Sequence, residues 1–447
     1  MVIKKYDKKY KFKSMFNTQT GTYIRTGVLD ENGNDTGVDP FMSSFPELID
    51  IGIMGHCAHG LSGKCAESGI QCYQHGDICR NANMSLVDYK SIIDECKGKT
   101  FQVALGGCGD PDMHENFEEI LKYTRDNDIV PNFTTSGFGM NSYKAAICNR
   151  YCGAVAVSMY SRLNLRCNIA IRKRDKGEER VGYRCIEEIP VKFTLNNTNP
   201  ECYIDAPHYI IDGKEFNHDE LHHIVPSDLD GRYELYRVYE EVNGRKFTED
   251  NKNYTFNTIE TLIKQGVTTN IHFVLSNDTI DEAILRLKYN GFPSGINAVV
   301  FLLHKPVGLG QEAGVLKSDD VRVREFFDLV DTGEFPFKIG FDSCTVPGIL
   351  NFMHNVSHDS IDTCEAARWS MYITPDMLGL PCSFDNQDLK YAVDIKSAGG
   401  IKAVWDSEAF EKIRDKFKTR CPGCKDRLNC FGGCPLMDGI TLCNNVK

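Results

Sequence analysis

Six short apolar runs, at residues 48–54, 101–105, 130–134, 154–159, 270–275 and 298–303, constrain most tightly how this chain can fold. Stretches of helical period separate or follow them, at 86–96, 116–126, 142–149, 255–265, 279–289 and 319–329. Strands alternating with helices predict a parallel sheet with right-handed crossovers. Ser85 and Asp88 have the spacing of a helix-capping box, and Gly266 stands as a stop signal after the helix before it. Six such units fit an α/β architecture built on an open, partial (β/α)6 TIM-like barrel over residues 46–334. The ligand site of such a barrel lies at the C-terminal ends of its strands. Residues 1–45 show no clear period, and GVLDENGNDTGVD reads as a hairpin tip or loop. A short N-terminal ribbon without function is expected there.

One segment breaks the alternation. Residues 162–253 hold no clean strand–helix unit but carry the basic run IRKRDKGEER, the turn residues LNNTNPE and the His-rich run FNHDELHHIVPSD. A connection this long inside a compact domain is usually functional or has its own small fold. It reads as an inserted subdomain over the rim, acting as a substrate-binding lid. His218, His222 and His223, with Asp212 and Asp219, resemble pieces of an HNH nuclease, whose motif often reads HHIVP. That alternative describes a metal-stabilised nucleic-acid-binding protein, with slight support from the basic run Arg172–Arg174. Against it, the net charge of −11 gives no general positive field for nucleic acid.

The cysteines carry the chemistry. Cys57, Cys65 and Cys72 follow the first apolar run in a Gly-rich loop, which places them on the barrel rim. Thiolates are soft ligands suited to iron–sulfur clusters or zinc. Three of them, with no obvious fourth in the loop, leave one iron of a cubane open. Eight more, Cys344, Cys364, Cys382, Cys421, Cys424, Cys430, Cys434 and Cys443, lie in residues 335–447, where CPGCKDRLNCFGGCPL is dense in Gly and Pro. Eight thiolates match two four-cysteine clusters, and metal ligation would replace the hydrophobic staple such a stretch lacks. CxxC pairs taken alone fit zinc equally well. Many thiols in tight groups, behind a start (MVIKKYDKKYKFKSMF) with no apolar signal core, point to the cytoplasm. No apolar stretch approaches the length of a membrane span.

Cys421, Cys424, Cys430, Cys434 and Cys443 match the CxxCx5CxxxC pattern with a last cysteine that ends the SPASM domain of radical S-adenosylmethionine enzymes. The chain resembles that family over roughly residues 46–161 and 254–447. The resemblance implies a nearer auxiliary [4Fe-4S] cluster on Cys344, Cys364, Cys382 and Cys434. It implies a farther one on Cys421, Cys424, Cys430 and Cys443. Cys57, Cys65 and Cys72 then form a widened version of the family's CxxxCxxC motif, with Tyr73 in its Cys-Tyr ending and Cys79 as a substitute ligand nearby.

Gly106, Gly107 and Asp110 belong to GGCGDP, which resembles the GGxGEP segment that meets the amino group of S-adenosylmethionine. Consecutive glycines also let a ligand approach the backbone closely. Ser136, between Thr135 and Gly137, stands where the family often has a polar residue before Gly, and Ser158 where a hydroxyl or carboxylate meets the ribose. LLHKPVGLG, residues 302–310, resembles a stretch that surrounds the adenine.

The cofactors implied are S-adenosylmethionine and three [4Fe-4S] clusters. The implied activity is a radical oxidoreductase that modifies a ribosomally made peptide or protein by thioether or carbon–carbon crosslinking, or by oxidation. Flavodoxin or ferredoxin would supply electrons. Dehydrogenation or rearrangement of a sugar or nucleoside is the alternative. Ser383 replaces the Asp that sulfatase-maturing members tend to have after the cysteine at the position of Cys382, which weighs against that branch. No residue is assigned as a catalytic acid or base.

Overall fold

The computed structural model describes the chain except for residues 64, 66–69, 160–163, 174–183, 195–207, 212–213, 218–232, 242–253, 289–290, 358–359 and 445–447. The chain forms two compact units. One comprises Met1–Tyr160, Thr255–Ile280 and Pro293–Lys447, the other Ser161–Tyr254 and Asp281–Phe292.

The first unit begins with an antiparallel ribbon of β1 (Val2–Asp7), β2 (Phe12–Asn17) and β3 (Tyr23–Arg25). In β2, Phe12, Ser14 and Phe16 alternate inward. Phe12 meets Trp369 edge-on at 5.4 Å, and Phe16 packs on Phe101 at 5.5 Å. Phe101 and Val130 lie at the N-terminal ends of the second and third strands of the main sheet, so the ribbon covers that end and leaves the opposite rim for chemistry.

The six expected strands form as β4 (Leu48–Met54), β5 (Gln102–Gly107), β6 (Val130–Thr135), β7 (Val155–Ser158), β13 (Thr269–Leu275) and β14 (Ala298–Leu303), numbering the strands of the second unit β8 to β12. They lie side by side in that order and pair parallel, giving the partial TIM-like α/β fold. Two further parallel strands flank them. β15 (Lys338–Phe341) pairs with β14, and β16 (Ser370–Ile373) pairs with β4. β17 (Leu378–Leu380) and β18 (Val393–Asp394) extend the β16 side antiparallel. Among the described residues the sheet has ten strands.

In β4, Ile49, Ile51 and Ile53 are fully buried on the helix-covered face, which leaves Asp50 and Gly52 on the interior face. The N-cap half of the capping box forms as the spacing predicts, while the Asp88 carboxylate meets the Ser85 hydroxyl instead of its N–H. Ser85 Oγ accepts from the Asp88 N–H at 3.1 Å and donates to the Asp88 carboxylate at 2.9 Å, starting the helix Leu86–Cys96. Gly266 donates to Ile263 O at 2.9 Å and ends the helix Tyr254–Lys264.

Residues 335–447 hold more regular structure than their Gly and Pro content implies. The helix Glu408–Thr419, capped by Ser407, buries Phe410, Ile413 and Phe417 beside Trp405. Its apolar spacing was legible. Among the described residues no helix is long and apolar enough to cross a membrane.

The second unit contains an antiparallel five-stranded sheet in the order β11-β10-β9-β8-β12, with β8 Asn164–Lys173, β9 Arg184–Thr194, β10 His208–Ile211, β11 Lys214–Asn217 and β12 Tyr233–Glu241. It also holds the buried ion pair Arg286–Glu282 at 2.7 Å. Asp212, His218, Asp219, His222 and His223 lie outside the described residues.

Candidate functional site

The loop after β4 turns Cys57 into the N-cap of a short helix, Ala58–Leu61, with Cys57 Sγ accepting from the Gly60 N–H at 3.2 Å. Cys57 and Cys72 close on the same glycine. A Cβ placed on Gly76 would lie 3.7 Å from Cys57 Sγ and 3.5 Å from Cys72 Sγ. Burial, then the nearby Cys57, Cys72 and Asp110, push the Cys65 thiol up to about 12. Cys65 has Cys57, Cys72 and Asp110 as neighbours, and Cys57 has Cys72 and Asp110, so the three thiols converge. Converging soft donors suit a positively charged metal cluster, which deprotonates the thiols it binds. Among the described residues no three His, Cys, Asp or Glu side chains surround a single ion-sized point.

Cys79 takes a different position. Its thiol donates to Gln74 O at 3.3 Å and hydrogen-bonds Cys108, whose own thiol reaches the same carbonyl at 3.5 Å.

GGCGDP ends β5 against this loop. Gly107 has φ +109°, and a Cβ there would meet Met54 O at 2.4 Å; on Gly109 it would meet His56 O at 2.4 Å. Gly106 faces open space within 4 Å, the cradle a ligand needs. Gly107→Ala should cost about 1–3 kcal/mol, from a left-handed backbone and a blocked carbonyl together. Thermal unfolding checks it. The Asp110 carboxylate accepts from the Ser136 N–H at 2.8 Å and from the Ser136 hydroxyl, joining the ends of β5 and β6. Burial raises Asp110 to about 6. Thr135 Oγ1 donates to Asp112 at 2.8 Å and accepts from the Gly137 N–H at 2.9 Å. These bonds shape one continuous rim.

Tyr73 stacks obliquely on Phe384 at 5.0 Å. The 302–310 stretch is tied to the cysteine loop, since the Leu309 N–H donates to Cys72 O at 2.9 Å. Ser158 ends β7 in register with His272 of β13. His272 shares a hydrogen bond with Thr134 Oγ1 at 3.2 Å, and burial lowers it to about 4.

The eight C-terminal cysteines fall into two neighbourhoods. Cys344 and Cys434 share a thiol hydrogen bond, and Cys364 and Cys382 lie within electrostatic reach of them and of each other. Cys430 has Cys443 and Cys421 as neighbours, and Cys421 and Cys424 close one turn through a backbone bond of 3.2 Å. Beside the first group Lys305 is buried, bonded to Asp342 at 2.8 Å. Burial alone would lower its ammonium, but Asp342, Cys344 and Cys434 more than offset that and hold it above its usual value.

The interior also holds groups that motif reading missed. Among the described residues Asp50 has no hydrogen-bond partner, and burial raises it to about 7. The signal was one acid among isoleucines in LIDIGIM. Since folding raises this carboxyl, its ionisation opposes the folded state. The stability it preserves below about pH 4 is lost as pH climbs to about 7, roughly 4 kcal/mol in all. Asp50→Asn should flatten that fall in denaturant titrations across the same range.

No protein family matches the chain, and no curated protein does. Solved structures do. The chain resembles Streptococcus suis SuiB bound to the precursor peptide SuiA, with TM-score 0.57 and 12% identity over 99% of this chain and 98% of that one. It resembles SuiB bound to S-adenosylmethionine with TM-score 0.52 and 13% identity, over 88% of this chain and 74% of that one. With the parallel sheet, the rim and the two cysteine neighbourhoods, these likenesses show that the chain has the fold of the SuiB structures, the partial barrel expected of a radical S-adenosylmethionine enzyme.

Proposed function

We propose that the protein is a radical S-adenosylmethionine oxidoreductase that modifies a ribosomally made peptide or protein. The observation that carries this reading is the meeting of Cys57, Cys65 and Cys72 against the GGCGDP turn, where a Cβ on Gly109 would come within 3.3 Å of Cys57 Cα. Cys57, Cys65 and Cys72 would hold the cluster that leaves one iron free. When bound, that group supplies one electron that splits S-adenosylmethionine into methionine and a 5′-deoxyadenosyl radical, which takes a hydrogen atom from the substrate.

The chain's own residues do the positioning. Gly106 and Gly107 give backbone access to the amino end of S-adenosylmethionine, and Asp110 holds that segment to Ser136. Ser158 stands at the rim for the ribose, and residues 302–310 line the adenine side, pinned by Leu309. Tyr73 joins the cysteine loop to Phe384 through a tilted ring contact. Cys344, Cys364, Cys382 and Cys434 would hold the nearer auxiliary cluster, and Cys421, Cys424, Cys430 and Cys443 the farther one. Flavodoxin or ferredoxin would deliver the electron.

A peptide substrate is supported by the likeness to a structure that contains one, SuiB with SuiA. Thioether formation, carbon–carbon crosslinking or oxidation would each use the same first step. The test is to incubate anaerobically reconstituted, reduced protein with S-adenosylmethionine and candidate peptides. The expected result is 5′-deoxyadenosine and a peptide of changed mass. Protein that binds iron but forms no 5′-deoxyadenosine overturns the proposal.

A further inference from the structure

Asp50 and Tyr372 come from distant parts of the chain, yet the parallel pairing of β4 with β16 sets them directly side by side. Paired residues of neighbouring strands point to the same face, here the interior one. On the other side of Asp50 the register places Ala104, which is small and uncharged. The Tyr372 hydroxyl is buried and has no hydrogen-bond partner among the described residues. It sits over Gly52, where a Cβ would come within 2.3 Å of the oxygen, and Gly52 in turn lies 3.2 Å from the Cβ position of Gly107. An unused donor thus lies next to the rim proposed for S-adenosylmethionine. Beside it stands the half-buried Asp50 carboxyl, with no hydrogen bond among the described residues.

Leaving a buried phenol without a partner is costly unless something else completes it, and the half-buried carboxyl beside it is open to the same group. The missing group must accept a hydrogen bond from Tyr372 and donate one to Asp50. An amide does both, through its carbonyl oxygen and its N–H. We propose that Asp50 and Tyr372 are substrate-contact residues that grip an amide of the peptide being modified, Tyr372 donating to its oxygen and Asp50 accepting from its nitrogen. This rests on the function proposed above and names the part of the substrate the interior recognises. The titratable groups facing Asp50 are Tyr372 from β16, Tyr73 from the cysteine loop and Glu365 from the segment before β16. As a carboxylate, Asp50 accepts from an N–H more strongly than as a neutral acid, so binding strengthens as pH rises through its titration.

The test uses the full-length, anaerobically reconstituted protein with S-adenosylmethionine. The probe is an equimolar pool of blocked random peptides, and the readout is retention on ultrafiltration measured by mass spectrometry. Asp50→Asn and Tyr372→Phe keep the shape and remove one partner each. Gly52→Ala, which displaces the phenol without touching its chemistry, is a third variant in case either fails to fold. The wild type should retain a subset of the peptides, and each variant should retain that subset about five-fold less or weaker still. Retention by the wild type should rise from about pH 6 to about pH 8, and Asp50→Asn should lose that rise. Equal retention by wild type and variants, or none by wild-type protein that does form 5′-deoxyadenosine, overturns the assignment of this pair alone. Wild-type protein that forms no 5′-deoxyadenosine overturns the function on which the assignment rests.

Discussion

Cys57→Ala should remove about four irons per chain and bring 5′-deoxyadenosine formation down to background. The effect is large because the three thiols act as one ligand set. Cys57 also supplies the N-cap of the helix that follows, with its sulfur accepting from the Gly60 N–H. Cys57→Ser separates the two roles. Serine caps the helix well but is a hard oxygen donor, poorly matched to an iron–sulfur cluster. Cys57→Ser should therefore unfold near the wild-type temperature yet lack the same irons. Iron analysis, electron paramagnetic resonance of the reduced protein and product quantification check the three statements. Wild-type iron content in Cys57→Ser would remove this residue from the proposed cluster.

The second large effect belongs to Arg368, which is almost fully buried. Its guanidinium donates to Phe41 O at 2.7 Å, to Thr363 Oγ1 at 2.5 Å and to Cys364 O at 3.1 Å. It also lies over the rings of Phe431 at 4.3 Å and Phe41 at 4.8 Å. One side chain thereby links the segment before β4, the loop that carries Cys364 and the segment that carries Cys430 and Cys434. Arg368→Met keeps much of the volume but strands buried carbonyls at roughly 1–3 kcal/mol each, so a loss of about 4 kcal/mol is expected. With Cys364 freed from its backbone anchor, the nearer cluster should also be lost, about four irons per chain. Arg368→Lys restores the charge but not the fork of donors, and should recover only part of the stability. Denaturant unfolding and iron content of the three proteins give the answer.

Much of this molecule could be read without coordinates, because the informative patterns are local. Strand and helix periods, the Ser85 cap and the position of the cysteine loop after the first strand depend on neighbours a few residues apart. The structure returns each of them. β15 and β16 escaped because KIGF and SMYI are only four residues long, too short to show a period, and join the sheet only by pairing with β14 and β4. The helix Glu408–Thr419 carries its own local signal, Phe410, Ile413 and Phe417 at helical spacing after the Ser407 cap.

The sequence by itself determined the α/β order, the rim that would carry chemistry and the thiols available to it, since side-chain type and spacing suffice for those. Only the tertiary structure decided which cysteines are neighbours, that Asp110 is held by Ser136, and that Asp50 lies beside Tyr372. Those contacts join residues distant in the chain, and parallel pairing and rim packing, not spacing, bring them together.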